Sequence, residues 1–328
     1  MKVAMDGLGV PEIRAASRPD AIRALGYVTA RDRLFQMDLL RRKSAGRLAE
    51  ILGPPLVEAD THQRLYGLPR AAAAIVARLP ADQRAALDAY AQGVNGYLAS
   101  AKALPLECDL LHYRPEPWGP EDGILIMLGM FQALGDTEEQ ERTRTVLAQS
   151  LPPGVAAFLS DDVDRYTREL LGPRAPAPPP LPADELRALS AQGREKRAAA
   201  AGAGAGVLGI SAGVPGASAG VLSASAGVLS ASAGEPPVGS NGWAVAGSRT
   251  ADGRAILAND MHLDLGVPNI WYRARLRYAD VDLTGVLLPG LPLVAVGTNR
   301  HVAWGLTSLE GDVMDLVRLE VDPGRPDE

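Results

Sequence analysis

The chain has 328 residues, 47% hydrophobic and 22% charged, which is globular composition with length for about two domains and excludes a disordered or collagen-like chain. Lys and Arg total 33 against 39 Asp and Glu, and the net charge of -6 leaves no basic footprint for a nucleic acid. Cys108 is the only cysteine, so neither an internal disulfide framework nor a multi-cysteine zinc site can be built within this chain.

The opening MKVAMDGLGVP has no apolar h-region and no small-residue cleavage site, so it does not read as a secretory signal; either the protein is cytoplasmic or its leader is missing. Residues 17–53 carry helical grammar: Ser17 with Asp20 three residues on, Pro19 in the first turn, and Gly53 just past LAEIL, with Gly26 and Gly46 expected to interrupt the helix. Residues 81–99 and 120–134 repeat the pattern, the second being apolar nearly all round and therefore expected to be buried. The first 170 residues read as mainly helical.

From residue 174 the segment RAPAPPPLP favours polyproline II, and residues 198–234 use only Ala, Gly, Ser, Val, Leu, Ile and Pro. ASAGVLS occurs at 217–223 and again at 224–230 without the seam of a coiled coil, so the stretch reads as a flexible spacer. Gly and Ser dilute it throughout, which disfavours a membrane span. Matches to dinucleotide-binding and nucleophile-elbow patterns at Gly204, Gly206, Gly209, Ser211 and Ser218 fall in this spacer, outside the strand and helix context those motifs require.

After Ser240 the period changes to strands: GWAVAGS, RAILAND, IWYRARLRYA, DLTGVLLP, LPLVAVGT and HVAWGLTS, separated by turn signals. The tail VDPGRPDE follows with no obvious closing element and reads as that of a fragment. A spacer between a helical and a β-rich part directs attention to their junction, Gly239–Ser240.

The segment GSNGWAVAGSRTADGRAILANDMHL (239–263), with DRLFQMDLLRRKSAGRLAEILG (32–53), resembles the penicillin acylase family of N-terminal nucleophile (Ntn) hydrolases. The DGLGVPEI opening, YRPEPWGPED at 113–122 and the remainder of 239–320 share the likeness, and only the spacer with its Pro-rich approach falls outside it. The resemblance implies an α+β fold, part of an Ntn-hydrolase αββα sandwich with a mainly helical N-terminal part. It divides the chain into an α-chain-like region (1–173), an excised spacer (174–239) and the start of a β-chain-like module (240–328). It also implies a periplasmic or secreted protein whose two chains pair after processing. Family members carry a second oxyanion donor, an asparagine, and an arginine further downstream than residue 328.

The chemistry of the junction can be argued beside the family. A serine at a chain terminus carries its own base, because a free α-amine has a pKa of about 7.7–8.0 and is partly neutral near pH 7. Ser240 gains that amine only if the chain is cut after Gly239, whose missing side chain tolerates the strained backbone of an N-to-O acyl shift. Taken without the family, Gly-Ser at the end of a linker also fits a plain turn.

The resemblance sets His262, in the NDMHL turn, at a position that is histidine in cephalosporin and acyl-homoserine lactone acylases and glutamine in penicillin G acylases; its implied role is to hold the α-amine. Counted without gaps, the implied backbone oxyanion donor is Ser308, a kind of group worth about 2.7–4 kcal/mol of transition-state stabilisation. Asp312, the Met314 carbonyl and Asp315 offer hard oxygens to Ca²⁺, which takes 6–8 of them. To these the resemblance adds Glu139, with Glu138 as a rival. Asp6, Arg31, Asp32, Arg33, Arg41 and Arg42 read as structural, and His62, His112 and His301 as ordinary histidines. Met127, Met130 and Phe131 fit either core packing or the border of an acyl pocket.

The expected function is a self-processing serine amidohydrolase acting on the linear amide of an N-acylated small molecule such as a β-lactam or an acyl-homoserine lactone. Calcium is expected and no organic cofactor, nucleic acid or membrane partner. The alternatives are a non-catalytic helical and β binding protein and an inactive acylase fragment.

Overall fold

The computed structural model describes residues 1–135, 137–159, 172–174, 176–177, 179–202, 239–263, 266–308, 313–315, 317 and 324. The chain divides into two compact units, one of Met1–Leu134 with Ala217–Glu310 and one of Gly135–Gly216 with Gly311–Glu328. In the first unit, helices from the first part of the chain and strands from the last share one core.

In the first unit β1 (Lys2–Met5) and β2 (Pro11–Ala15) lead into α1 (Arg18–Ala45), followed by α2 (Ala49–Leu52), α3 (Val57–Leu65), α4 (Leu68–Arg78), α5 (Ala81–Ser100), α6 (Leu106–Leu110) and α7 (Pro120–Gly135). The strands β3 (Gly239–Val245), β4 (Ile256–His262), β5 (Tyr272–Tyr278), β6 (Val281–Leu287), β7 (Val294–Thr298) and β8 (Ala303–Trp304) complete it. Six strands form one sheet in the order β1-β2-β5-β6-β7-β8, and β3 and β4 form a separate pair. β2 runs parallel to β5 with Glu12 beside Arg275, and the other pairings are antiparallel.

β5 alternates as a half-buried strand must: Tyr272, Ala274 and Leu276 turn inward and Arg273 outward. The inward residues join Ile13, Leu287 and the apolar faces of α1 and α5 in the main core. Helix α1 begins where expected, with the Ser17 hydroxyl accepting from the Asp20 N–H at 3.3 Å, and ends at Gly46, whose φ of 64° closes it in the left-handed region. Gly26 does not interrupt α1. A Cβ there would stand 2.2 Å from the Tyr90 carbonyl oxygen, and one on Gly93 would stand 2.0 Å from that of Arg23, so the two glycines let α1 and α5 cross backbone to backbone.

The charges of α1 pair with one another and with neighbouring elements. Asp38 is fully buried and accepts from Arg41 Nε at 2.8 Å and Arg42 Nε at 2.8 Å. Arg41 also reaches Asp122 at 3.0 Å and stacks over Trp118 at 4.8 Å. Asp32 accepts from the Tyr272 hydroxyl at 2.7 Å, which with burial raises the phenol's pKa above its usual value. Asp6 accepts from the backbone N–H groups of Leu8 and Val10.

In the second unit α8 (Glu138–Ser150), α9 (Pro153–Phe158) and α10 (Ala183–Gly202) are described. The Glu185 carboxylate accepts from the Val155 N–H at 3.0 Å, joining α10 to α9. Residues 183–202 are thus helical within the stretch read as spacer. The remainder of 203–238 lies outside the described residues. Among the described residues no helix is long and apolar enough to cross a membrane.

Candidate active site

The junction is the start of a strand. β3 pairs antiparallel with β4, and the register sets Gly239 opposite His262, Ser240 opposite Met261, Asn241 opposite Asp260 and Gly242 opposite Asn259. Because side chains alternate along a strand and directly opposed residues share a face, Ser240, Gly242, Asn259 and Met261 lie on one face of the pair. Gly239, Asn241, Asp260 and His262 lie on the other.

His262 ends β4 and does not sit in a turn. Its Nδ1 is 3.6 Å from where a Cβ on Gly239 would stand, and its Nε2 is 3.2 Å from Asp260 Oδ2. With Nε2–H donated to that carboxylate, the Nδ1 lone pair faces the residue before Ser240. Gly239 is not among the glycines of positive φ, so no left-handed strain is held there, and a Cβ on it would meet the imidazole only at ordinary contact distance. His262 therefore stands beside the Gly239–Ser240 peptide, on the face away from the Ser240 side chain.

The segment after β8 approaches the Ser240 face. Asn259 Nδ2 donates to the Asn241 carbonyl at 2.9 Å and to the Leu306 carbonyl at 3.0 Å, while its Oδ1 accepts from the Leu306 N–H at 3.0 Å. A Cβ on Gly305 would stand 2.7 Å from that of Asn259, and one on Gly242 would stand 3.4 Å from Thr307 Cγ2. Ser308, two residues beyond Leu306, is half-buried, as is Ser240. The fold brings Ser240, His262 and the segment leading to Ser308 around one strand pair. Asn259 and Asp260 were missed in the sequence, where they read as the polar end of a strand and not as partners of the junction.

Glu139 is exposed in the first turn of α8, and the neighbouring Glu138 is paired with Arg142. Asp315 is exposed, Met314 is half-buried, and Asp312 lies outside the described residues. A Cβ on Gly135, just before α8, would stand 3.2 Å from Val313 Cγ2, so the 313–315 segment passes close to the chain that leads to Glu139. The donor set is all oxygen and so suits Ca²⁺ by its chemistry. Among the described residues no three His, Cys, Asp or Glu side chains are grouped as for a metal. Met127 and Met130 pack against the two apolar clusters, whereas Phe131 is 60% exposed. His62 meets the Tyr66 ring edge-on, His301 is exposed, and His112 lines a cavity of about 670 Å³ with Lys102, Cys108 and Tyr113, none of them from β3 or β4.

The family model described as penicillin amidase matches residues 1–328. The chain is 34% identical over 318 residues to the acyl-homoserine lactone acylase QuiP of Pseudomonas aeruginosa, covering 96% of this chain and 34% of that protein. It is 36% identical over 329 residues to the penicillin acylase 2 proenzyme of Pseudomonas sp. strain SE83, covering 96% of this chain and 37% of that one. Among solved structures, the thermostable penicillin G acylase from Alcaligenes faecalis is 29% identical with a TM-score of 0.45, over 55% of this chain and 97% of that chain. The chain spans about a third of the length of the curated relatives it matches.

Proposed function

The chain belongs to the penicillin amidase family, and from that premise we propose that it is a self-processing N-terminal serine amidohydrolase of the Ntn class. In the processing step Ser240 Oγ attacks the Gly239 carbonyl carbon, the ester formed by the N-to-O shift is hydrolysed by water, and Gly239 leaves as a carboxylate while Ser240 keeps a free α-amine. In turnover that amine takes the Oγ proton as Oγ adds to the acyl carbon of the substrate amide. The Ser308 N–H stabilises the oxyanion, the departing amine takes the proton, and water then releases the acid. His262 holds and polarises the amine.

The observation that carries this reading is the register of β3 on β4, which sets the Gly239–Ser240 peptide against His262 and turns the Ser240 side chain toward the face that the 305–308 segment approaches. The substrate class is the linear amide of an N-acylated small molecule, with β-lactams and acyl-homoserine lactones as its two members of interest. The relatives named above carry both activities in their names. Calcium belongs to the same proposal, held by the carboxylates of Glu139, Asp312 and Asp315 and the Met314 carbonyl; bound there, it would tie the start of α8 to the 312–315 segment. A periplasmic or secreted site of action completes it, with the two chains of the cut precursor remaining paired.

Intact mass of the purified protein beside its Ser240→Ala variant tests the central claim. Two chains, one beginning at Ser240, are expected from the parent and a single chain from the variant. A single uncut chain from both, with no hydrolysis of N-acyl amides, would refute self-processing and favour a binding protein.

A further inference from the structure

We propose that Asn259 is a positioning residue for the Ser240 reaction, setting the distance between the nucleophile and the backbone N–H of Ser308; this rests on the function proposed above. The nucleophile and the oxyanion donor belong to different pieces of chain. Ser240 is in β3, whereas the donor follows β8, a strand of only two residues, Ala303–Trp304. Among the described residues the six-stranded sheet that contains β8 does not include β3, and no ladder carries registry from one to the other. Leu306 is 58% exposed, so apolar burial does not fix the segment either.

Asn259 supplies what a ladder would. Its carboxamide meets both backbone groups of Leu306, accepting from the N–H at 3.0 Å and donating to the C=O at 3.0 Å, as a neighbouring strand residue does. The same Nδ2 donates to the Asn241 carbonyl at 2.9 Å, in the residue that follows the nucleophile. One side chain thus links the residue after Ser240 to the residue two before Ser308. Glycine at 305 fits this arrangement, because a Cβ there would stand within 2.8 Å of Asn259 Cβ, Cγ and Oδ1. No other side chain has this donor and acceptor pair at this reach: aspartate cannot donate, and glutamine is longer by a methylene.

The two roles an asparagine can have here differ in what they move. A group that only stabilises the fold changes the yield of cut, folded protein. One that positions the oxyanion donor changes the rate at each cut site, because the donor matters most when charge develops on the acyl oxygen. The test compares the parent protein, expressed to its natural stop codon, with Asn259→Asp and Asn259→Ala, each assayed with N-octanoyl-4-nitroanilide and normalised to the amount of chain beginning at Ser240, counted by intact mass. Asn259→Asp keeps the acceptor for the Leu306 N–H and loses both donations. The expected result is a fall in kcat per cut site of roughly tenfold in Asn259→Asp and up to about a hundredfold in Asn259→Ala, with KM within about twofold of the parent. An unchanged kcat per cut site in either folded variant overturns the proposal, as does failure of both variants to fold, which would make Asn259 a purely structural residue. A parent chain that neither cuts itself nor turns over the anilide refutes the function proposed above, an outcome separate from either.

Discussion

Replacing Asp38 by asparagine removes the centre of a buried charge network that joins α1 to the 116–118 segment and the start of α7. Asp38 is fully buried, and its Oδ1 accepts from Arg41 Nε and Nη2 at 2.8 and 2.5 Å while Oδ2 accepts from Arg42 Nε at 2.8 Å. The two arginines are themselves 5% and 4% exposed. The Asp38→Asn change would turn one oxygen into an NH₂ aimed at guanidinium donors and leave two buried cations sharing less counter-charge. Removing one partner of a buried pair costs about 3–5 kcal/mol. The lower end applies, because Arg41 keeps Asp122 at 3.0 Å and the Glu116 carbonyl at 2.8 Å, and Arg42 keeps Glu50 at 2.6 Å. Against a total stability of about 5–15 kcal/mol, a loss of about 3 kcal/mol lowers the melting temperature by roughly 6–12 °C. Urea unfolding followed by tryptophan fluorescence measures it, and Trp118, which lies under Arg41, reports from the site. A loss below about 1 kcal/mol would refute the reasoning, showing that the remaining carboxylates and carbonyls suffice for both arginines.

Four further outcomes follow from other parts of the structure. His262→Ala is expected to slow appearance of the chain beginning at Ser240 by roughly 10²-fold in a time course of intact mass, and Asp260→Asn by a few-fold, the size of a lost orienting hydrogen bond; equal rates in all three proteins would remove the dyad from the reaction. Gly93→Ala sets a methyl 2.0 Å from the Arg23 carbonyl oxygen and should cost about 1–3 kcal/mol in urea unfolding, whereas Gly96→Ala, whose nearest neighbour would be 3.8 Å away, should cost less than Gly93→Ala. Burial lowers the Lys43 pKa to about 8 from its ordinary 10.5, so between those pH values the unfolded chain holds a proton that the folded one has released. Stability should therefore rise with pH across that window by up to about 3 kcal/mol, and the rise should be absent from Lys43→Met. Metal analysis of the cut, dialysed protein should find calcium in the parent and less in Asp315→Asn; its absence from the parent would refute the calcium reading.

The helices were legible because their signals are local. Ser17 caps α1 through a backbone N–H three residues away, and α5 and α7 fall within one residue of the ranges read from periodicity. What could not be read was non-local. Nothing near Gly26 indicates that Tyr90 will press against it, so a glycine that permits a helix crossing looked like one that breaks a helix. β1 and β2 are four and five residues long, and β2 takes its place in the sheet from parallel pairing with β5, far away in sequence. Helix α10 was obscured by composition: the uncharged tract from residue 198 drew the whole region into the spacer, although ADELRAL carries acidic residues in a first turn and leucines on a helical repeat. At the site, Gly239, Ser240 and His262 came from the family likeness. Asn259 and Asp260 stand in the same stretch, but their roles depend on the register of β3 on β4 and on where residues 305–308 return.

That register also gives the strand pair a division of labour. Alternation sends the Ser240 side chain to the face with Asn259 and the 305–308 segment, and sends Gly239 to the face with His262 and Asp260. On the function proposed here, the first face is where an acyl group would meet the hydroxyl and an oxyanion donor. The second is where an imidazole meets the nitrogen that is an amide before cutting and an amine afterwards. On the same proposal the Ser240 nitrogen, in the backbone of β3, is common to both faces, and one imidazole would serve the precursor and the cut enzyme. The faces separate under mutation in a way a single catalytic cluster would not: Asn259 variants should lower turnover at sites already cut, whereas Asp260→Asn, acting through His262, should slow cutting as well as turnover. If both changes slowed cutting and turnover by equal factors, the two faces would not act independently, and the alternation of β3 would carry no functional meaning.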